Sequence, residues 1–212
     1  RVLFRSDKNI TKKMLRDSGI PTADWTIARS IEDIDYDKIE EMGYPVFIKP
    51  NSGGSSVATF KVECREDVED AVRAGLEVDD IVMIEAYLPG DEYTSFVLDG
   101  EVYPTIKISS PTGFFDFESK YSTGANAAKE EVVYLEKDLQ DQINKASKAV
   151  WDTFYCRAYV RADFILSNGT FYVLELNTLP GMTPTSLIPR SANAKGLSYS
   201  ELVDKIMETS LK

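Results

Sequence analysis

The stretch Phe171-Tyr-Val-Leu-Glu175-Leu-Asn177-Thr-Leu-Pro180-Gly181-Met182 decides how the fold is read. Tyr172, Leu174 and Leu176 alternate with Phe171, Val173, Glu175 and Asn177, so the spacing predicts a strand with Glu175 and Asn177 on one face. Arg161 and Asp163 are likewise two apart on a neighbouring apolar run, residues 159–166, and Ser167-Asn168-Gly169 between the runs is a hairpin signal. Antiparallel pairing of the two runs would gather two acids, one amide and one guanidinium on one patch.

Asp, Glu and Asn oxygens are hard ligands suited to magnesium, which usually binds through a few carboxylates plus substrate phosphates. An arginine beside them can hold a phosphate or carboxylate in a bidentate fork. Each residue alone has an ordinary reading, a half-solvated sheet face with one ion pair. The four together, followed at once by Pro180-Gly181, read as a site.

The 212 residues suffice for one large domain or two small lobes, and 43% hydrophobic residues can fill a core. Against 35 acidic residues stand 24 basic ones, a formal charge of -11 that weighs against nucleic acid or an anionic membrane as partner. An anionic small ligand would need a local cluster of Lys and Arg. With no His, and with Cys64 and Cys156 as the two cysteines, a Ser-His-Asp hydrolase, a Cys-His protease and a histidine zinc site are excluded within this chain. No apolar run reaches the roughly 20 residues that span a bilayer, and no signal peptide is visible, so a reducing cytoplasmic setting is expected. The chain opens at Arg1 without an initiator Met, and it is read as a piece of something longer.

Moving outward, Ser6-Asp7-Lys8-Asn9 before Ile10, Met14 and Leu15 reads as a capped helix start, closed by Gly19 and Pro21. A short strand over 23–28 and a helix in the later part of 30–42 follow. Strands over 44–49 and 57–62 flank the loop Pro50-Asn-Ser-Gly53-Gly54-Ser55-Ser56. Its glycines and hydroxyls, with Lys49 at the strand end, suit an anion-binding nest; a plain hairpin turn is the alternative, and no Gly-Lys-Ser/Thr makes it a P-loop. A helix over 66–76 and a strand over 81–87 containing Glu85 lead to Leu88-Pro89-Gly90, the expected hinge between a lobe of residues 1–90 and one of 91–212. Strands over 92–98 and 101–108 come next. The aromatic run 111–121, with Lys120 and Tyr121 at its end, reads as a packed edge, and 122–129 as a loop able to move over a site. Leu139, Ile143, Ala146, Ala149, Val150 and Phe154 form a helical stripe within 135–154, and the last helix spans 198–211.

Taken in order, these motifs resemble the ATP-grasp superfamily, and more closely the D-alanine–D-alanine ligase family. The resemblance runs through Asp7-Lys8, Gly19-Ile-Pro21, Pro45-Val-Phe-Ile-Lys49-Pro50, Gly54-Ser55-Ser56-Val57, Glu85 to Glu92, Phe115-Asp-Phe-Glu-Ser-Lys120-Tyr121, Arg161-Ala-Asp163 and Glu175-Leu-Asn177-Thr-Leu-Pro180-Gly181-Met-Thr. It implies an α+β fold in which two lobes of antiparallel sheet with flanking helices enclose ATP. It also implies an ATP-dependent ligase joining a carboxylate to an amine through an acyl phosphate, with D-alanyl-D-alanine for peptidoglycan as the specific product. A D-lactate, D-serine or other acceptor, or a non-catalytic ATP-binding module, are the alternatives.

By that resemblance Lys8 and Lys49 contact the nucleotide phosphates under a closing loop of Gly53, Gly54, Ser55 and Ser56, while Glu85, Ala86, Tyr87 and Leu88 line the adenine and Glu92 binds the ribose. Lys120 lies near the γ-phosphate. Asp163, Glu175 and Asn177 match ligands of two magnesium ions, replaceable by manganese. Arg161, Lys120, Gly181 and Ser55 form the catalytic set, and Tyr121, Arg161, Gly181, Ser186 and Leu187 meet the amino-acid substrates. The family's N-terminal lobe, which precedes the present Arg1 and helps hold the first D-alanine, is absent from these residues. Family members often act as homodimers.

Overall fold

The computed structural model describes residues 7–52, 58–109 and 129–211. Helix α1 (Lys8–Asp17) begins where the Asp7 carboxylate accepts the Ile10 amide at 2.8 Å, a side-chain cap on one of the helix's orphan donors. Strands β1 (Trp25–Ala28), β2 (Val46–Pro50), β3 (Phe60–Val62) and β4 (Val82–Ala86) then form an antiparallel sheet of order β1-β4-β2-β3. Helices α2 (Tyr36–Met42) and α3 (Val68–Leu76) cover one face, where Ile39, Val46, Ile48, Val68, Val72, Val82 and Ile84 are buried. Alternation along β2 sends Val46 and Ile48 into that core and turns Phe47 and Lys49 to the opposite face.

The second sheet contains β5 (Asp91–Leu98), β6 (Glu101–Val102), β7 (Ile106–Ser109), β8 (Lys129–Val132), β9 (Tyr159–Ser167) and β10 (Thr170–Asn177), in the order β10-β9-β5-β7-β8 with β6 on β5. Helix α4 (Lys137–Thr153) lays its expected stripe across one face, packing Ile143 and Val150 against Tyr93, Val97, Val160, Ala162, Phe164, Phe171 and Val173. Helices α5 (Leu187–Ala194) and α6 (Tyr199–Ser210) cover only one end of the other face through Ile188, Ala192 and Leu202 on Phe96, Leu98 and Tyr103. Among the described residues, the part of that face bearing Glu92, Thr94, Arg161, Asp163, Glu175 and Asn177 is polar.

Leu88-Pro89-Gly90 marks the passage from one sheet to the other, and the Gly90 backbone passes so close to β9 that a Cβ there would stand 2.0 Å from the Leu166 carbonyl oxygen. The first helix departs from its expected place in the 1–90 lobe. Leu15 and Ile20 belong to the core of the large sheet, and Thr22 forms a parallel bridge to Val173 on β10. The opposite side of α1 faces the small sheet: the Asn9 amide donates to Asn51 Oδ1 at 2.9 Å. The helix therefore joins both sheets.

Candidate active site

On the large sheet the patch assembles as expected, but by a different path. Straight alternation would put Phe171 and Val173 on the same side as Glu175 and Asn177. In the structure Val173 opposes Phe164 and the next pair is Glu175 with Asp163, so Leu174 is an extra residue, a β-bulge. The bulge resets the phase: Phe171 and Val173 enter the core before it, Leu176 enters the core after it, and Glu175 and Asn177 turn to the polar face. There Asn177 lies opposite Arg161 and Glu175 opposite Asp163.

Asp163 is the centre of the resulting network. Arg161 donates Nε to its Oδ1 at 2.9 Å and Nη2 to its Oδ2 at 2.7 Å. Asn177 Nδ2 donates to Asp163 Oδ2 at 2.8 Å and to Glu175 Oε1 at 3.3 Å. Thr94, opposite Asp163 on β5, donates its hydroxyl to Oδ1 at 2.6 Å. Burial would lower the Arg161 pKa, but Asp163 beside it, with Glu175 and Glu92 further off, raises it above the ordinary arginine range. Glu92 sits two residues before Thr94 on β5, hence on the same face.

The small sheet and helix α1 contribute the cations, Lys49 from β2 and Lys8 and Lys12 from α1. Lys49 and Lys12 each pair with one oxygen of Glu85, Oε2 and Oε1 respectively. Burial alone would raise the Glu85 pKa; the two ammonium groups outweigh it and hold the carboxyl at about 2. Burial also pulls Lys12 below the ordinary lysine range, with Glu85 opposing. Lys8 Nζ donates to the carbonyls of Pro50 at 3.1 Å and Asn51 at 3.4 Å. Its pKa falls to about 8 through burial and the nearby Lys49, against the pull of Glu175, Glu85 and Asp79. Glu175 on the large sheet thus lies within electrostatic reach of Lys8 on α1, which is itself beside Lys49 of the small sheet.

After Glu85, Ala86, Tyr87 and Leu88 form the connection toward β5. The Ala86 amide donates to Asp24 at 2.9 Å, and the Tyr87 ring packs on Phe47 with centroids 5.7 Å apart. Beyond β10, Gly181 and Ser186 come together, since a Cβ on Gly181 would lie 3.2 Å from Ser186 Oγ. The Thr183 amide donates to that Oγ at 3.1 Å, and Ser186 and Leu187 open helix α5. Gly53, Gly54, Ser55, Ser56, Lys120 and Tyr121, together with the 122–129 loop apart from Lys129, lie outside the described residues.

Two residues of the site carry little signal in the sequence. Lys12 follows Lys8 by four on α1, the spacing that puts both on one helix face. Thr94 follows Glu92 by two on β5, and that spacing is its only signal. As a metal site, Asp163, Glu175 and Asn177 offer two carboxylates and an amide oxygen, a donor set that suits magnesium completed by phosphate and water. Among the described residues no group of three or more His, Cys, Asp or Glu could hold a metal ion. The guanidinium and amide N–H groups around Asp163 neutralise the charge that a cation would otherwise meet.

Two antiparallel sheets with flanking helices, carrying lysines on one and an acid, amide and arginine patch on the other, define an ATP-grasp enzyme, an ATP-dependent ligase. The family model described as D-ala D-ala ligase C-terminus matches residues 14–208, and the chain belongs to the D-alanine–D-alanine ligase family. It is 49% identical over 206 residues to D-alanine–D-alanine ligase B of Clostridium perfringens, covering 97% of this chain and 68% of that protein. The crystal structure of D-alanine–D-alanine ligase from Bacillus anthracis superposes with a TM-score of 0.87 at 42% identity, over 98% of this chain and 68% of that one. A crystal structure of D-alanine–D-alanine ligase from Bacillus anthracis complexed with ATP gives a TM-score of 0.86 at 38% identity, over 98% of this chain and 66% of that one.

Proposed function

We propose that this chain carries the nucleotide site and the ligation site of an ATP-dependent enzyme that joins two D-alanine molecules into D-alanyl-D-alanine, a peptidoglycan precursor, in the cytoplasm. The observation that carries the reading is the Arg161–Asp163–Asn177–Glu175 network on adjacent strands, within electrostatic reach of Lys8 on helix α1. No helix among the described residues is long and apolar enough to cross a membrane.

Lys8 and Lys49 bind the phosphates, assisted by the Gly53 to Ser56 loop and Lys120, which are assigned on sequence resemblance alone. Residues 85–88 line the adenine, and Glu92 takes the ribose hydroxyls. Asp163, Glu175 and Asn177 hold magnesium, which when bound neutralises phosphate charge and aligns the transferring group. The carboxylate of the first D-alanine attacks the γ-phosphorus, the bond to the β-phosphate oxygen breaks, and ADP leaves an acyl phosphate. The amine of the second D-alanine then attacks the acyl carbon, phosphate departs, and the nitrogen loses a proton. Arg161 and the Gly181 amide stabilise the negative charge that develops on the carbonyl oxygen. Ser186 and Leu187, at the head of α5, receive the carboxylate of the second substrate, and Tyr121 joins the substrate residues by sequence resemblance. The full-length protein is a homodimer on this reading.

The test is ADP release by the full-length protein with ATP and magnesium, comparing D-alanine, L-alanine and no amino acid, with the product weighed by mass spectrometry. D-Alanine-dependent ADP with D-alanyl-D-alanine is expected. Turnover with D-lactate or D-serine in place of the second D-alanine would move the acceptor, and a solved D-Ala:D-Ser ligase, VanG from Enterococcus faecalis, shares this fold at 25% identity and a TM-score of 0.84. Nucleotide binding without turnover of any pair would leave an ATP-binding module.

A further inference from the structure

Glu85 receives two lysines from two different elements, Lys49 from β2 and Lys12 from α1. The two are held very differently. Lys12 is 1% exposed, donates to Thr22 Oγ1 at 2.7 Å and lies 5.3 Å from the Trp25 ring centroid. Thr22 in turn donates to the Val173 carbonyl at 2.9 Å, so Lys12 is anchored to both sheets. The Lys49 side chain is 17% exposed and lies on the face of the small sheet opposite its core.

Glu85 itself is 3% exposed, and a buried carboxylate stripped of its cation is strongly unfavourable. If Lys49 were its sole partner, any phosphate recruiting Lys49 would have to strip Glu85 bare. We propose that Lys12 is a positioning residue that stays with Glu85 and thereby frees Lys49 to move from Glu85 to an incoming polyphosphate. The inference rests on the nucleotide reading above and deepens it: Lys12 touches no substrate, yet sets how readily Lys49 can.

The experiment is calorimetric titration of ADP with magnesium into the full-length protein as wild type, Lys12→Met, Glu85→Gln and the double variant, with thermal unfolding followed alongside. Methionine keeps most of the buried aliphatic stem and removes the ammonium. Lys12→Met is expected to weaken ADP binding about tenfold or more, because Lys49 becomes the sole partner of a buried charge. In the Glu85→Gln background the same substitution is expected to change affinity by less than about threefold, since a neutral amide does not retain Lys49. Unchanged affinity in Lys12→Met, or an equal loss in both backgrounds as a purely structural role would give, overturns the inference. Should Lys12→Met not fold, Lys12→Gln, which can still donate to Thr22, allows the same comparison: a loss confined to the Glu85 background supports the inference, and no loss or an equal one overturns it. A wild-type protein that binds no ADP overturns the nucleotide reading itself; a wild type that binds, with no dependence on Glu85, overturns only the role of Lys12.

Discussion

Arg161 and Asp163, two residues apart on β9, close a bidentate pair of 2.9 and 2.7 Å on the polar face of the large sheet. The pair offsets the charge of a nearly buried carboxylate, and on the proposed function the same guanidinium meets the negative charge that develops on the carbonyl oxygen. Arg161→Ala should lower kcat by about a hundredfold to a thousandfold, as expected for loss of an oxyanion-stabilising group. Arg161→Lys should restore little, because an ammonium cannot reproduce the two-toothed geometry. Steady-state ADP release measures both, and near wild-type rates in either variant would remove Arg161 from the reaction.

The buried Thr94 hydroxyl donates to Asp163 Oδ1 at 2.6 Å, with the Ala162 carbonyl a more distant second acceptor at 3.4 Å. Thr94→Val keeps the shape and deletes the hydroxyl. Magnesium affinity should fall by about 10- to 100-fold, the usual cost of losing a group that orients a metal ligand. Activity against magnesium concentration at saturating ATP, together with direct magnesium titration, would show it. An unshifted magnesium requirement would mean that Thr94 does not orient Asp163.

Lys8 titrates near 8 in the fold and near 10.5 when unfolded, the shift coming first from burial and then from Lys49. Its positive charge is therefore present below about pH 8 and lost as pH rises through that value. ADP affinity should drop about tenfold between pH 7 and 9.5, and Lys8→Arg should flatten the profile. Folding stability moves oppositely over part of this range. Between about 8 and 10.5 the unfolded chain binds the extra proton, so this group makes stability rise with pH.

Gly90→Ala should destabilise the fold by about 3 kcal/mol, because its Cβ would meet the Leu166 carbonyl and the β4–β5 connection would have to lift from β9. Chemical denaturation supplies the measurement. A loss below about 0.5 kcal/mol would show that the backbone yields there easily.

Much of the fold is legible in the residues. Period-two alternation marks β2 and the start of β9, where Val160, Ala162 and Phe164 alternate with Arg161 and Asp163, and the stripe from Leu139 to Phe154 marks α4, because burial of one face writes itself into spacing. The bulge at Leu174 is not legible: an inserted residue leaves the composition of a strand unchanged while shifting its phase, so Glu175 and Asn177 are picked out by a pattern that Phe171 and Val173 contradict. Strand β8 is hidden because Lys129-Glu-Glu-Val is a charged edge with no apolar face to read. Helix α5 is hidden because Pro189 looks like a breaker, although in the first turn a proline forfeits no helical hydrogen bond. Lys12 is hidden because a buried lysine is rare enough that sequence assigns it to solvent.

The placement of α1 bears on how the chain could be divided. A cut at Gly90, the natural seam between the two sheets, would take Leu15 and Ile20 away with the small sheet and leave the large sheet's core open along one flank. An independently expressed C-terminal half would need residues 7–22 spliced back onto it. Equally, the small sheet is tethered to the rest at two crossings, the one just after Thr22 and the one at 87–90. Any rocking of that sheet over a bound nucleotide must pivot on those two short spans together.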